Sequence, residues 1–392
     1  MHSVFRFVVL VSYFLLVSFW VSKVIRPRKP GWSRVVPALP VLLLNVFIPT
    51  MFHHVEERML YTTLVFILYW MVPVKVLSYC MNRGVLTIVE DNPFLHIFII
   101  VACPVVPKKH QTSSAKSNVS REKANGGHTQ KQQVSPWITA FMKLVLLVFS
   151  CYFVVREKDD DSIQRDFWIL SMMYATLGVM MELPAALVSN IGLDLEPHFN
   201  KPWMARSIMD FWARWNIPTA ITLKDICFSP IHEGRLVYDP KAEKLPRSNA
   251  RTALAAVATF FLSGVLHEMM FWCTTSKIQF LWFFNFAVNG PFSIMERLGH
   301  SLFSKVGIKT IPSVITIPLT LGFGMYMNHT FFLGPVLKLT DEPFLAFEDI
   351  VSSVPLPESI FSTGKAFGVP GIKGYEQYAL LGILYGLGAL GY

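Results

Sequence analysis

Nine apolar runs long enough to cross a bilayer leave this chain few folds to choose from. They are Val4–Val21, Val36–Phe52, Met59–Met81, Trp137–Val155, Phe167–Ser189, Thr252–Cys273, Ile278–Met295, Ile311–Val336 and Gln377–Tyr392. A helix rises about 1.5 Å per residue, so about 20 residues cover a hydrocarbon core of about 30 Å. A tenth run, Phe94–Val106, is too short and is expected to be re-entrant. With 53% hydrophobic and only 16% charged residues, the chain lacks the polar surface of a soluble domain. The expectation is an all-α polytopic membrane protein with about eight or nine transmembrane helices, a re-entrant segment and a cytosolic interfacial helical segment.

The net charge of +9 sits mainly in loops. Two of these, Lys23–Arg34 and Pro107–Pro136, are strongly basic, and the positive-inside rule places both in the cytosol. The charge therefore reports topology and an anionic bilayer surface, and no nucleic-acid partner is expected. The second loop has almost no apolar residues and is expected to be a disordered linker or tether; a loose contact with anionic lipid is the alternative. Asn118-Val119-Ser120 within it has the glycosylation pattern but is expected to stay unmodified on the cytosolic side. Alternation then puts the acidic loop Arg156–Asp166 in the lumen, Asn190–Arg251 in the cytosol and Lys338–Tyr375 in the lumen. The first run lacks a small-residue cleavage site before Lys23 and reads as an uncleaved anchor.

Three parts follow: N-terminal helices over 1–106, the basic loop over 107–136 and a catalytic core over 137–392. Cys80, Cys103, Cys151, Cys227 and Cys273 are scattered without a Cys-x-x-Cys, so neither a disulfide framework nor a metal site is expected. Gly382-x-x-x-Gly386 reads as close helix packing and leaves the oligomeric state open.

One histidine, His267, lies about fifteen residues into the run Thr252–Cys273, where an ionisable side chain is costly and marks a functional site by default; the bland alternative is a neutral histidine bonded to a neighbouring helix. Glu268 follows about 100° round the helix, so it cannot easily orient the imidazole and is given a supporting role. Upstream, three tryptophans, two arginines and two prolines crowd the segment from Pro202 to Pro218. Such a segment suits either an aromatic belt at the headgroups or an interfacial site for an amphipathic ligand.

Several ordered motifs carry a more specific likeness. Leu195-Glu196-Pro197-x-Phe199-Asn200-x-Pro202, Ser207-x-x-Asp210-Phe211-Trp212, Arg214-Trp215-Asn216 and Ala258-Thr259-Phe260-x-x-Ser263-Gly264-x-x-His267-Glu268 occur in that order. Together they resemble the plant-type wax ester synthases of the membrane-bound O-acyltransferase family, over about Phe167–Met295. The resemblance implies acyl-CoA as donor substrate, a long-chain alcohol as acceptor, no cofactor, and residence in the endoplasmic reticulum membrane. It also implies His267 as catalytic base and Asn216 as its polar assistant.

The chemistry of the residues agrees. An imidazole with an ordinary pKa near 6.5 can take the alcohol proton as the oxygen attacks the thioester carbonyl. The amide of Asn216 is a candidate donor to the oxyanion, or else a brace for its loop. Phe211, Trp212, Trp215 and Ser263 are expected to line the substrate, with Arg206 and Arg214 meeting the phosphates of coenzyme A. The short spacing of Phe211-Trp212-Ala213-Arg214-Trp215-Asn216 is instead that of sterol and diacylglycerol acyltransferases, whereas Ala220 stands where those carry a histidine. Wax ester synthesis is the preferred reading. A sterol or diacylglycerol acceptor, and a lipid transporter without acyl transfer, are its rivals; the transporter lacks the expected symmetry between two halves.

Overall fold

The structure is a computed structural model describing residues 2–52, 58–108, 135–156, 163–189, 191–243, 245–246, 248–307 and 311–334. Helix dominates these residues, and their only extended pairing is an isolated bridge, Pro107 to Leu195. Among the described residues, six helical stretches are long and apolar enough to cross a membrane: Val4–Ile25, Trp32–Met51, Tyr61–Cys80, Pro136–Val154, Gln164–Val188 and Asn249–Thr275. Large apolar side chains such as Phe5, Leu43, Phe141 and Leu254 are exposed along them, as lipid-facing positions are and water-facing ones rarely are. The chain is an all-α polytopic membrane protein.

In chain order the α-helices are α1 (His2–Trp20), α2 (Trp32–Phe47), α3 (Arg58–Val65), α4 (Val72–Cys80), α5 (Phe94–Ala102), α6 (Pro136–Arg156) and α7 (Ile163–Ser189). There follow α8 (Ile208–Arg214), α9 (Ile217–Leu223), α10 (Ser229–Glu233), α11 (Asn249–Thr275), α12 (Leu281–Ala287), α13 (Asn289–Lys305) and α14 (Ser313–Met327). Wider π-helical turns extend α1 (Val21–Ile25), join α3 to α4 (Phe66–Met71), join α9 to α10 (Lys224–Phe228) and extend α14 (Asn328–Leu333).

Two of the apolar runs fold differently from single spans. Ile278–Met295 divides into α12 and α13, with Asn289 Nδ2 turned back on the carbonyls of Asn285 (2.6 Å) and Phe286 (3.3 Å) at the junction. In Ile311–Val336, α14 gives way to a π segment that carries Asn328 and His329. The short run Phe94–Val106 forms the nine-residue α5, only about 13 Å long, too short to cross. The run Gln377–Tyr392, the loop Lys338–Tyr375, most of the basic loop with Asn118, and the acidic stretch 157–162 lie outside the described residues.

The N-terminal helices share one apolar core in which Val17, Ile25, Ala38, Leu68, Tyr79 and Ile100 are buried. Tyr13 and Lys75 are paired within it, as burial in a low-dielectric interior favours, whereas Asn45 Nδ2 and Ser78 Oγ are buried without a partner among the described residues. The Tyr13 hydroxyl bonds to Asn45, and Lys75 Nζ donates to the carbonyls of Ile100 (2.6 Å) and Cys103 (2.7 Å), which end α5. The hairpin of α6 and α7 encloses a buried ion pair, Lys143 with Glu182, with the ammonium also over the rings of Tyr174 (5.1 Å) and Phe199 (4.7 Å). An ion pair of His329 with Asp166 fastens α7 to the end of the α14 helix.

Residues 194–200 act as a strap between these two halves. Lys108 N donates to Asp194 O and Glu196 N to Val106 O, both at 2.8 Å, while Asn200 N donates to Arg214 O (3.0 Å) and Ile217 N to His198 O (2.8 Å). His198 sits at the centre of the strap, almost fully buried, with Nε2 donating to Pro104 O at 3.3 Å. Burial pushes its imidazole down to about 4, so it is neutral at pH 7. An unfolded chain would protonate this residue below about 6.5 while the folded one would not. Its contribution to stability is therefore complete above about pH 6.5 and is lost as pH falls toward 4. Melting of the detergent-solubilised protein should show that loss, and His198→Gln should flatten the curve across the same window.

Candidate functional site

The 27-residue helix α11 carries His267 and packs against α3, α10, α12 and α13. Ser248 caps its first turn, accepting from Arg251 N at 3.3 Å, and Ser276 closes it in a left-handed conformation. Both signals are local, and between them the sequence contains neither proline nor a long polar break.

His267 is held by its own helix. Its Nδ1 lies 2.7 Å from the carbonyl oxygen of Ser263, one turn back. A carbonyl can only accept, so Nδ1 carries the hydrogen and Nε2 carries the lone pair. The Ser263 hydroxyl is 3.4 Å from the same nitrogen. Two aromatic rings fix the imidazole plane: Phe286 of α12 stacks on it at 3.3 Å and 12°, and Trp70 meets it edge-on at 4.8 Å and 83°. Trp70 projects from the π turn Phe66–Met71, and such turns are enriched at functional sites. Imidazole, partly exposed and with one free basic nitrogen, is what a proton acceptor inside a membrane requires.

Glu268 faces the other way and organises the next helix. Its Oε1 accepts from the amides of Gln279 and Phe280, both at 2.8 Å, and its Oε2 accepts from Phe283 N at 3.1 Å. These are donors at the start of α12 that no turn of that helix can satisfy, and a carboxylate complements the positive end of the helix. Phe280 is left-handed, at φ 60°, an uncommon conformation for an aromatic residue that these bonds help to hold.

Gly264 lies one turn before Glu268 on the same face, and a Cβ there would stand 2.6 Å from the Phe283 carbonyl oxygen. Together they press α12 onto α11 and so press Phe286 onto His267. Gly264→Ala should push α12 outward at a cost of about 1–3 kcal/mol, by analogy with overpacked cores. The expected readout is a lower melting temperature and reduced turnover, with the protein still inserted.

The other residues that the sequence singles out fall into separate roles. Trp212 reaches the site: its ring lies 5.4 Å from Phe286 and 6.2 Å from Phe260, and with Phe211 it lines a small cleft. Trp215 stacks on Phe211 at 5.7 Å and packs on Phe199 at 5.2 Å, holding the strap against α8. Arg214 does the same work, with Nε on Asp210 Oδ1 (2.7 Å) and Nη1 on Asn200 O (3.2 Å). Arg206 is exposed, and its guanidinium is free of side-chain and backbone partners among the described residues. Ser263 is buried and touches the imidazole.

Asn216 occupies the elbow between α8 and α9 at φ 47°, a left-handed position that asparagine tolerates. Its Oδ1 is buried without a hydrogen-bond partner, and it is not bonded to His267. The α9 helix that it opens ends at Leu223, which packs with Trp70, Leu266 and Met270. Trp70, Phe286 and the three bonds of Glu268 are not legible from motif spacing, because each joins segments distant in sequence. Among the described residues no cluster of three or more metal-ligating side chains occurs.

Comparison with known proteins bears directly on this constellation. Residues 195–285, from the strap into α12, match the membrane bound O-acyl transferase family. The acyl-CoA–sterol O-acyltransferase 1 of Arabidopsis thaliana is 26% identical over 83% of this chain and 87% of its own length. The long-chain-alcohol O-fatty-acyltransferase of Simmondsia chinensis is 26% identical over 80% and 85%, respectively. The matched family region contains Asn216, His267 and Glu268, and the matches to both relatives extend well beyond it.

Proposed function

Because the chain belongs to the membrane-bound O-acyltransferase family, we propose that it transfers the acyl group of an acyl-CoA to a long-chain alcohol, forming a wax ester, with His267 as general base. The observation that carries this reading is the fixed tautomer of His267, whose Nδ1–H is spent on the Ser263 carbonyl so that Nε2 is free to accept a proton.

In the reaction, Nε2 takes the hydroxyl proton as the alcohol oxygen forms its bond to the thioester carbonyl carbon. The C–S bond then breaks, and the departing thiolate recovers the proton from the imidazolium. A thiol is acidic enough, near pKa 8.5 by the cysteine standard, to leave without a metal, so acyl-CoA is a substrate and no cofactor is invoked. Asn216 is proposed to donate its amide to the oxyanion, supported by its place in the elbow beside α8 and by the unpaired state of its side-chain oxygen, which leaves the amide group uncommitted to the loop. Exposed Arg206 is proposed to meet a coenzyme A phosphate. Arg214 already has two protein partners and is assigned to holding the strap that shapes the site. The proposed residence is the endoplasmic reticulum membrane, where long-chain alcohols and acyl-CoA meet.

One observation favours a second acceptor: the sterol acyltransferase matches this chain as fully as the long-chain-alcohol enzyme does. Microsomes containing the protein, given labelled palmitoyl-CoA with equal amounts of hexadecanol, sterol and diacylglycerol, separate the two. Labelled wax ester is the expected product. Steryl ester in excess of wax ester would overturn the acceptor and retain the chemistry.

A further inference from the structure

The cleft lined by Phe211 and Trp212 has a floor that no motif points to. Asn285 of α12, Asn289 of α13, and Thr320 and Asn328 of the α14 helix form it. The lining contains no charged side chain. Three of the four polar residues direct a donor to the main chain. Asn289 Nδ2 donates to Asn285 O at 2.6 Å, Asn328 Nδ2 to Gly324 O at 2.8 Å, and Thr320 Oγ1 to Thr316 O at 2.8 Å. Their side-chain oxygens keep lone pairs to offer the cleft.

Asn285 is only 2% exposed, yet its Oδ1 has no hydrogen-bond partner. An orphaned acceptor in so buried a place costs free energy until a donor arrives. The complementary ligand is therefore uncharged, apolar along its length and armed with a donating O–H or N–H.

Size decides between donors. The cavity is about 20 Å³, room for one water-sized group. The terminal hydroxyl of an alkyl chain is such a group. The amide N–H of a pantetheine arm is flanked by chain on both sides and needs an open groove instead. Position agrees: Trp212 forms one wall of the cleft and packs on Phe286 at 5.4 Å between ring centroids, Phe286 stacks on His267, and Asn285 in the lining is the chain neighbour of Phe286. Resting on the acyltransferase reading above, we propose that this cleft is the receiving subsite for the acceptor alcohol, with Asn285 Oδ1 accepting its hydroxyl hydrogen bond before the alcohol passes Phe286 to reach His267.

Asn285→Leu keeps the branched shape of the side chain and removes the acceptor. In purified protein, the KM for hexadecanol should rise tenfold or more, while the KM for palmitoyl-CoA is unchanged and kcat at saturating alcohol stays within about twofold. A rise confined to the KM for palmitoyl-CoA would assign the cleft to the donor and overturn the proposal. So would a fall in kcat with both KM values unmoved, or no change at all. If Asn285→Leu fails to fold, Thr320→Val is the substitute, with a KM rise of about threefold expected and the same outcomes overturning the proposal. Equilibrium binding of labelled hexadecanol to His267→Ala, with and without Asn285→Leu, separates this inference from the function on which it rests. Weaker binding in the double variant supports the subsite even if the wild type forms no ester, and equal binding contradicts it even if ester is formed.

Discussion

His267→Ala should lower turnover by about 100- to 10,000-fold, the span that positioned general bases contribute elsewhere. The protein should still insert and bind long-chain alcohol. Structure gives two reasons to expect so clean a loss. Among the described residues, the hydrogen bonds of the imidazole run only to Ser263 in its own helix, so removing them leaves the contacts of α11 with its neighbours in place. The cavity created is bounded by Phe286 and Trp70, rings already held by other packing: Trp70 by Met71, Val74 and Leu223, and Phe286 by Trp212. A buried structural histidine would behave in the opposite way, with stability falling and turnover per folded molecule nearly intact. The melting temperature and kcat, measured on the same preparation, therefore distinguish a base from a brace. A transporter would keep transport in this variant.

Glu268→Ala should be more damaging to the fold than its neighbour. The substitution strands the amides of Gln279, Phe280 and Phe283 at the start of α12, all of which lose a carboxylate acceptor in a water-poor setting. Hydrogen bonds to a charged group contribute about 1.5–3 kcal/mol each, so a loss of about 3 kcal/mol or more is expected. Activity should fall with stability, because α12 carries both Phe286 and Asn285. Glu268→Gln retains one oxygen for Gln279 and Phe280 but turns an amide group toward Phe283 N, and it should fall between the alanine variant and the wild type. Thermal unfolding in detergent and initial rates on the surviving folded fraction give both numbers. An alanine variant as stable as the wild type would contradict the capping role.

Much of this was legible in the sequence because the signal was local or compositional. Apolar runs define a membrane protein whatever their packing, and a lone histidine deep in such a run, with a glycine at position 264 and a glutamate at 268, is conspicuous within six residues. Phe211 and Trp212 stood out by density of aromatics. What stayed hidden depends on tertiary contact. Trp70 lies about two hundred residues from the ring it touches, and Phe286 is one of many phenylalanines in apolar runs. Asn285 and Asn289 were a visible clue, two amides at helical spacing inside Ile278–Met295; reading that run as one span hides the junction they make. Arg214 shows the converse: a cation in an interfacial motif suggests phosphate, whereas its partner turns out to be Asp210, four residues back. Charge pattern alone does not say which partner a guanidinium has.

Direct transfer from thioester to alcohol releases a thiol for every ester formed, and counting both products at once tests it. Purified protein is given palmitoyl-CoA and hexadecanol, with free thiol and labelled ester measured in the same samples over time. Thiol and wax ester should appear in a one-to-one ratio, and both should cease when the alcohol is omitted. Thiol release that continues without alcohol, or ester that never forms, would contradict direct transfer.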